Sequence, residues 1–267
     1  MRAVTALTLL ACATCLSVPV WAQSREMPSD VSLLHGWREG ETHMAGVQID
    51  LAPGWKTYWR VPGAGGIPPQ IEFESSENLV HAQVGFPTPQ VFWDYGMRSL
   101  GYVTQVVFPV RAVAEDPTAP ITLRFHMSYG VCAEIRIPAE ASGEIVLSPA
   151  GQGSVEPIQA AMNAMPQSGR AHGMAAATCA LNASDNGLVI EAQMPWPETM
   201  ADLPHGVIEP GSDLIWVADP DVAQHEDGLQ LTAQMEYFGN GTATLARERM
   251  RFTLIGSDHA IDFHGCE

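Results

Sequence analysis

The sequence predicts an all-β protein of two antiparallel β-sandwich domains joined by a linker that carries a short helix. Three observations lead there. Short apolar runs recur, separated by Gly, Pro, Asn and Asp. Several of them alternate apolar and polar, as strands with one buried face do. Only one stretch, near residues 154–165, breaks the habit with helix-forming Ala and Met. Many strands without intervening helices pack as antiparallel sandwiches rather than as a parallel sheet.

Taken in order, Met1-Arg2, an apolar run to about Val20 and an A-x-A-like end at Ala22 predict a signal peptide over 1–22. Leu9-Leu-Ala-Cys12 resembles a lipoprotein cleavage box, but the apolar run continues past Cys12, which favours the later site. The first domain is expected over 23–150. Met44 to Leu51 alternates cleanly, Tyr102 to Val110 reads as a second strand, and Ile121–Tyr129 and Gly143–Leu147 continue the series. Pro53-Gly54 and Val61 to Pro69 are turn chemistry. In the linker, 151–173, Ser154 caps a short helix that Pro166 and Gly169 stop. The second domain, 174–267, offers strands at 177–181, 188–194, 213–217, 229–235 and 250–255, with one more expected near 260–266. Asp185-Asn-Gly187 forms a hairpin turn between the first two.

Charge and cysteine usage narrow the function. The chain has 13 basic and 30 acidic residues, a net charge of −17, and Lys56 is its only lysine. Loss of the signal peptide would remove Arg2 and make the balance −18. That argues against nucleic acid and anionic membrane surfaces as partners. No stretch beyond the signal approaches the roughly 18 apolar residues of a membrane span. No serine sits in a nucleophile elbow, and Gly63 to Gly66 is punctuated by prolines rather than opening a helix as a phosphate loop does.

Cleavage would also remove Cys12 and Cys15, leaving Cys132, Cys179 and Cys266. An odd number in an exported, oxidising compartment implies a free or intermolecular thiol. Cys179 opens the second domain and Cys266 closes it. First and last strands of a sandwich commonly lie side by side, so a Cys179–Cys266 staple is geometrically reasonable and would stabilise by about 2–4 kcal/mol. The alternative is two unpaired thiols. With the staple, Cys132 is the odd thiol. It follows a strand-like run and Gly130, with Glu134 and Arg136 close behind. A buried cysteine acting as a small hydrophobe is the plain alternative. His126, Met127 and Cys132 are soft ligands suited to copper(I), although alternation puts His126 and Met127 on opposite strand faces. His259 and His264, near Cys266, read as surface residues. Phe92, Trp93 and Tyr95 could rim a thiol site, or simply anchor loops.

Gly54-Trp-Lys-Thr-Tyr-Trp-Arg-Val-Pro-Gly63, Gly66-Ile-Pro-Pro69, Phe86-Pro-Thr-Pro89, Leu100-Gly-Tyr102, Phe108-Pro109 and Val131-Cys-Ala-Glu-Ile-Arg-Ile-Pro138 follow one another in order. This series resembles the N-terminal periplasmic domain of the DsbD/ScsB thiol:disulfide interchange proteins. The resemblance is clearest from Leu51 to Ala141. It implies an immunoglobulin-like sandwich in the periplasm that binds no cofactor. Such a domain takes electrons from a DsbD-like membrane protein and passes them to a thioredoxin-like protein, a disulfide isomerase or a cytochrome c maturation factor. The sequence departs from the family at one point. Cys132 matches the first motif cysteine, and Arg136 stands where the second belongs. The family's membrane segment and thioredoxin-like domain are missing from the sequence, and a separate DsbD-like membrane protein is one expected partner.

Three accounts fit a single motif cysteine. Cys132 works alone through mixed disulfides, with Arg136 favouring its thiolate if the two side chains meet. On a continuous strand they would share a face but lie about 13 Å apart; only a turn would join them. In the second account Cys179 or Cys266 resolves from a distance. In the third the domain is a non-catalytic binding module for a redox or cytochrome c maturation partner. Copper handling is a further, more remote reading.

Overall fold

The computed structural model describes residues 27–267 except Tyr95, Gln152, Ser154, Asp185, Asn186, Glu226, Asp227 and 241–243. The expected signal peptide, the expected Ser154 cap and the first two residues of the expected Asp185-Asn-Gly turn lie outside the described residues.

The first ten strands build one sandwich. They are β1 (Ser29–Glu39), β2 (Thr42–Leu51), β3 (Lys56–Gly63), β4 (Gln70–Glu72) and β5 (Leu79–Val84). The next five are β6 (Gln90–Asp94), β7 (Met97–Val103), β8 (Gln105–Ala114), β9 (Ile121–Cys132) and β10 (Arg136–Leu147). One sheet runs β1-β2-β8-β5, and the facing sheet runs β10-β9-β3-β7-β6 with β4 added on β9. All of these pairings are antiparallel. Alternation fills the core: Ile121, Leu123, Phe125, Met127, Tyr129 and Val131 of β9 point inward onto Val47, Ile49, Phe108 and Val110 of the facing sheet.

Tyr102 to Val110, which reads as one strand, is two. Thr104 takes a left-handed φ of 65° and breaks the run, so β7 and β8 lie in opposite sheets. A threonine is an unfavourable choice for that conformation, which is why alternation alone runs straight through it.

The one α-helix among the described residues, α1 (Val155–Asn163), lies on the outer face of the first sheet. Its Ile158 and Ala161 pack against Met44 and Val107, which point away from the sandwich core. Gly46 makes this possible, because a side chain there would collide with Val107 and Ile158. Beyond the helix come β11 (Gln167–Ser168), β12 (Thr178–Ser184), β13 (Gly187–Met194), β14 (His205–Glu209) and β15 (Ile215–Val217). The chain ends with β16 (Asp221–His225), β17 (Gly228–Tyr237), β18 (Arg251–Ile255) and β19 (Ala260–His264). They form a second pair of sheets, β11-β19-β18-β14 and β12-β13-β17-β15 with β16 on β17. Leu231, Met235, Phe252, Leu254 and Ile261 fill the space between them. The fold is all-β and immunoglobulin-like.

The two halves meet along a polar seam. Arg60, on the outer face of β3, is ion-paired to Glu209 at 2.9 Å and donates to Thr253 Oγ1 at 3.1 Å. Arg98 of β7 donates to the Gly206 carbonyl at 3.0 Å and pairs with Asp219 at 2.7 Å. Val207, Ile255 and Ala260 extend the first core into the second pair of sheets.

Candidate functional site

Odd-numbered residues of β9 face the core, so Cys132 at its end faces outward. The chain then turns at Ala133-Glu134-Ile135, with the Ala133 N–H donating to the Ile135 carbonyl at 3.3 Å. It returns as β10, whose first residue, Arg136, is the register partner of Cys132. The turn therefore joins the two residues that a continuous strand would have held apart. On the other side β3 pairs with β9 so that Lys56 is also opposite Cys132. Directly opposed residues of antiparallel strands share a face, and the three side chains form one row, Lys56, Cys132, Arg136.

Each member of the row is held. Lys56 is ion-paired with Asp94, donates to Ser99 Oγ at 3.3 Å and lies 4.9 Å from the Phe92 ring centre. Arg136 donates from Nε to the Tyr58 hydroxyl at 2.8 Å. Burial raises the Tyr58 hydroxyl above the ordinary phenol value; the Arg136 hydrogen bond opposes this and the adjacent Cys132 adds to it. The hydrogen bond to Tyr58 in turn raises Arg136 further. The loop between β3 and β4 lies over this face. Gly65 runs beside the Arg136 guanidinium, and Gly130 leaves room for Ile67 and the Tyr58 ring, since a Cβ there would sit 2.7 Å from Ile67 and 3.1 Å from Tyr58.

Cys132 is half-buried and, among the described residues, the one cysteine outside a disulfide. It opens into a cleft of about 450 Å³ lined also by Trp93, Met97, Arg98 and Glu134. Glu134 stands exposed at the hairpin tip. Trp93 (62%) and Met97 (48%) leave exposed apolar surface beside the thiol, whereas Ile135 at the hairpin tip lines a separate groove with Trp55 and Ile137. Phe92 lies under Lys56 and Trp93 lines the cleft, whereas Tyr95 is outside the described residues. Tyr58, Asp94, Arg98 and Ser99 did not stand out as site residues in the sequence. The signal that could have found them is Lys56, the only lysine, two residues before Tyr58 in the Gly54–Gly63 run.

The other candidates lie elsewhere. Cys179 and Cys266 form a disulfide with Cα atoms 5.5 Å apart, where the start of β12 runs beside the chain end; the Cys179 N–H donates to the Glu267 carbonyl at 2.8 Å. Met127 is in the core, while His126 is exposed on the opposite face and six residues along β9 from Cys132. The structure does not bring these three together. His259 shares a hydrogen bond with Thr199 Oγ1 at 3.1 Å, and His264 is exposed. Among the described residues no three His, Cys, Asp or Glu side chains are grouped to hold a metal, and no helix is long and apolar enough to cross a membrane.

The remaining motif residues hold the scaffold. The Tyr102 hydroxyl, raised well above its ordinary value by burial, donates to the Pro87 carbonyl at 2.7 Å. Phe108 packs on Phe86 and on Tyr102, with ring centres 5.2 and 5.7 Å away. Three separated motifs thus make one knot between the sheets.

A family model described as thiol:disulfide interchange protein DsbD, N-terminal, matches residues 27–146. A search of curated proteins finds no match. Among solved structures, the N-terminal periplasmic domain of ScsB from Proteus mirabilis superposes with a TM-score of 0.64 at 19% identity, covering 90% of this chain and 93% of that one. The reduced N-terminal domain of Neisseria meningitidis DsbD matches 46% of this chain and 88% of its own, at 16% identity and a TM-score of 0.28. The ScsB superposition extends the shared fold across both pairs of sheets, and the motif knot and the Cys132 hairpin fall inside the matched segment. Residues 27–146 are a domain of the DsbD N-terminal family.

Proposed function

We propose that this chain is a periplasmic thiol:disulfide interchange protein in which Cys132 works as a single thiol. The observation that carries the reading is the placement of Cys132: outward-facing, half-buried, in a cleft, and set between Lys56 and Arg136 in one cross-strand row. The thiolate is the form that attacks disulfides. Cys179 and Cys266 serve structure, and 23–150 and 174–267 act as the two domains. The partners are a thioredoxin-like protein or disulfide isomerase on one side and a separate DsbD-like membrane protein on the other. Because Arg136 replaces a resolving cysteine, the mixed disulfide on Cys132 is released by a thiol of the partner.

A second reading rests on the exposed Trp93 and Met97 beside the cleft, which suit a binding module that docks a redox or cytochrome c maturation partner without exchanging electrons. Alkylation of the unreduced native protein with peptide mapping separates the two. Interchange predicts rapid labelling at Cys132 and none at Cys179 or Cys266 until reduction. It also predicts a trapped mixed disulfide with a thioredoxin-like protein lacking its resolving cysteine. A Cys132 that labels only after unfolding would leave the binding module.

A further inference from the structure

The chain is strongly acidic, with 30 acidic against 13 basic residues, yet three cations line the Cys132 cleft. Two of them are used inside the protein: Lys56 on Asp94, and Arg98 on Asp219 and the Gly206 carbonyl. Arg136 is different. Its Nε is held by the Tyr58 hydroxyl, and its guanidinium lies 5.9 Å from the Tyr58 ring centre. Among the described residues its two Nη groups meet no carboxylate. A guanidinium anchored at one nitrogen, with its fork free, is preorganised for bidentate carboxylate binding. Arg98, only 6% exposed and lining the same cleft, also leaves its Nε without a partner. Glu134 opposes this field; it is exposed at the hairpin tip like Arg136, so solvent and salt screen both, and what distinguishes Arg136 is its anchored geometry.

We infer that Cys132 is selective for anionic disulfides, those with a carboxylate beside the sulfur, which the Arg136 fork holds in place. This rests on the reading of Cys132 as an exchanging thiol. In the step, the Cys132 thiolate attacks the nearer sulfur of the substrate. A bond from Cys132 to that sulfur forms as the substrate S–S bond breaks, and the bond pair leaves on the distal sulfur. That sulfur takes up a proton equivalent to the one Cys132 released. Cys132 is oxidised to a mixed disulfide and the leaving half is reduced to a thiol, so no further oxidant is needed. The carboxylate stays on the guanidinium throughout.

The test uses the purified full chain and three small disulfides: dithiodipropionate (anionic), hydroxyethyl disulfide (neutral) and cystamine (cationic). Each rate of mixed-disulfide formation at Cys132, read by mass spectrometry, is normalised to the rate with a free small thiol. The inference expects the anionic probe to be favoured over the cationic one by roughly fivefold or more at low salt, as one nearby unit charge in water would give, with the preference shrinking as salt rises. Arg136→Gln should abolish most of that ratio. Arg124→Gln, which removes a cation about eight residues further along β9, should keep it. Equal normalised rates for all three probes would overturn the inference while leaving Cys132 an exchanging thiol. No mixed disulfide with any probe would overturn both.

Discussion

Cys132 and Arg136 occupy directly opposed positions at the mouth of a hairpin. Opposed Cβ atoms in antiparallel strands lie about 4.5–5.5 Å apart, near the separation a disulfide spans. Arg136→Cys should therefore close a bond to Cys132 under mild oxidation. Alkylation after mild oxidation would label neither position, and reduction would expose both. Two thiols that stay free would mean that the hairpin does not hold the pair in that register. The sequence makes Cys132 and Arg136 conspicuous by type, but their meeting depends on a three-residue turn that lacks the usual Gly or Asn-Gly signal. Tyr58 was harder still to read. It sits one position from the core residues Thr57 and Trp59, and only the loop that folds over β3 makes its outward side chain a buried partner of Arg136.

Among the elements, α1 shows how far composition reaches. Its Ala and Met content and the Pro and Gly that end it are local signals, and the helix forms near where they place it. Its docking on Met44, Gly46 and Val107 is not local. Ile158 is fully buried there, so Ile158→Ala should cost about 2–4 kcal/mol, read as a lower midpoint in denaturant unfolding. A change of under half a kcal/mol would show a helix resting loosely on the sheet. The β7–β8 break has the opposite character. Alternation was correct on both sides of Thr104, and the one residue that redirects the chain is of a type that seldom adopts that conformation.

Across the whole molecule, two histidines, one buried and one half-buried, make stability depend on pH. Burial lowers the pKa of His205, and nearby Arg98 adds to the effect; burial, followed by Arg38, does the same for His43. Both folded values lie below the ordinary 6.5. The unfolded chain therefore takes up protons that the folded chain resists, and these two histidines contribute stability that is complete above pH 6.5 and declines as pH falls below it. The melting temperature should drop between pH 7.5 and 5.5, and His205→Gln should flatten that slope. A slope unchanged by the substitution would remove His205 as its source. The His205 ring lies 6.3 Å from that of Trp93, so its share of the effect belongs to the seam between the two pairs of sheets, whereas the share of His43 belongs to β2 of the first sandwich.

The sequence by itself determined what depends on local period and on residue chemistry: the alternation of β2 and β9, the short helix, the two sets of strands and the prominence of Cys132. Its ordered motifs carried the family, because such spacing reflects a shared scaffold. Tertiary structure decided what requires distant segments to meet. It placed Lys56 on one side of Cys132 and Arg136 on the other, folded the β3–β4 loop over Tyr58, joined Cys179 to Cys266, and set Arg60 and Arg98 into the second pair of sheets. Strand pairing is a long-range choice made by register and core packing, and a single strand carries the pattern of its own two faces but not the identity of its neighbours.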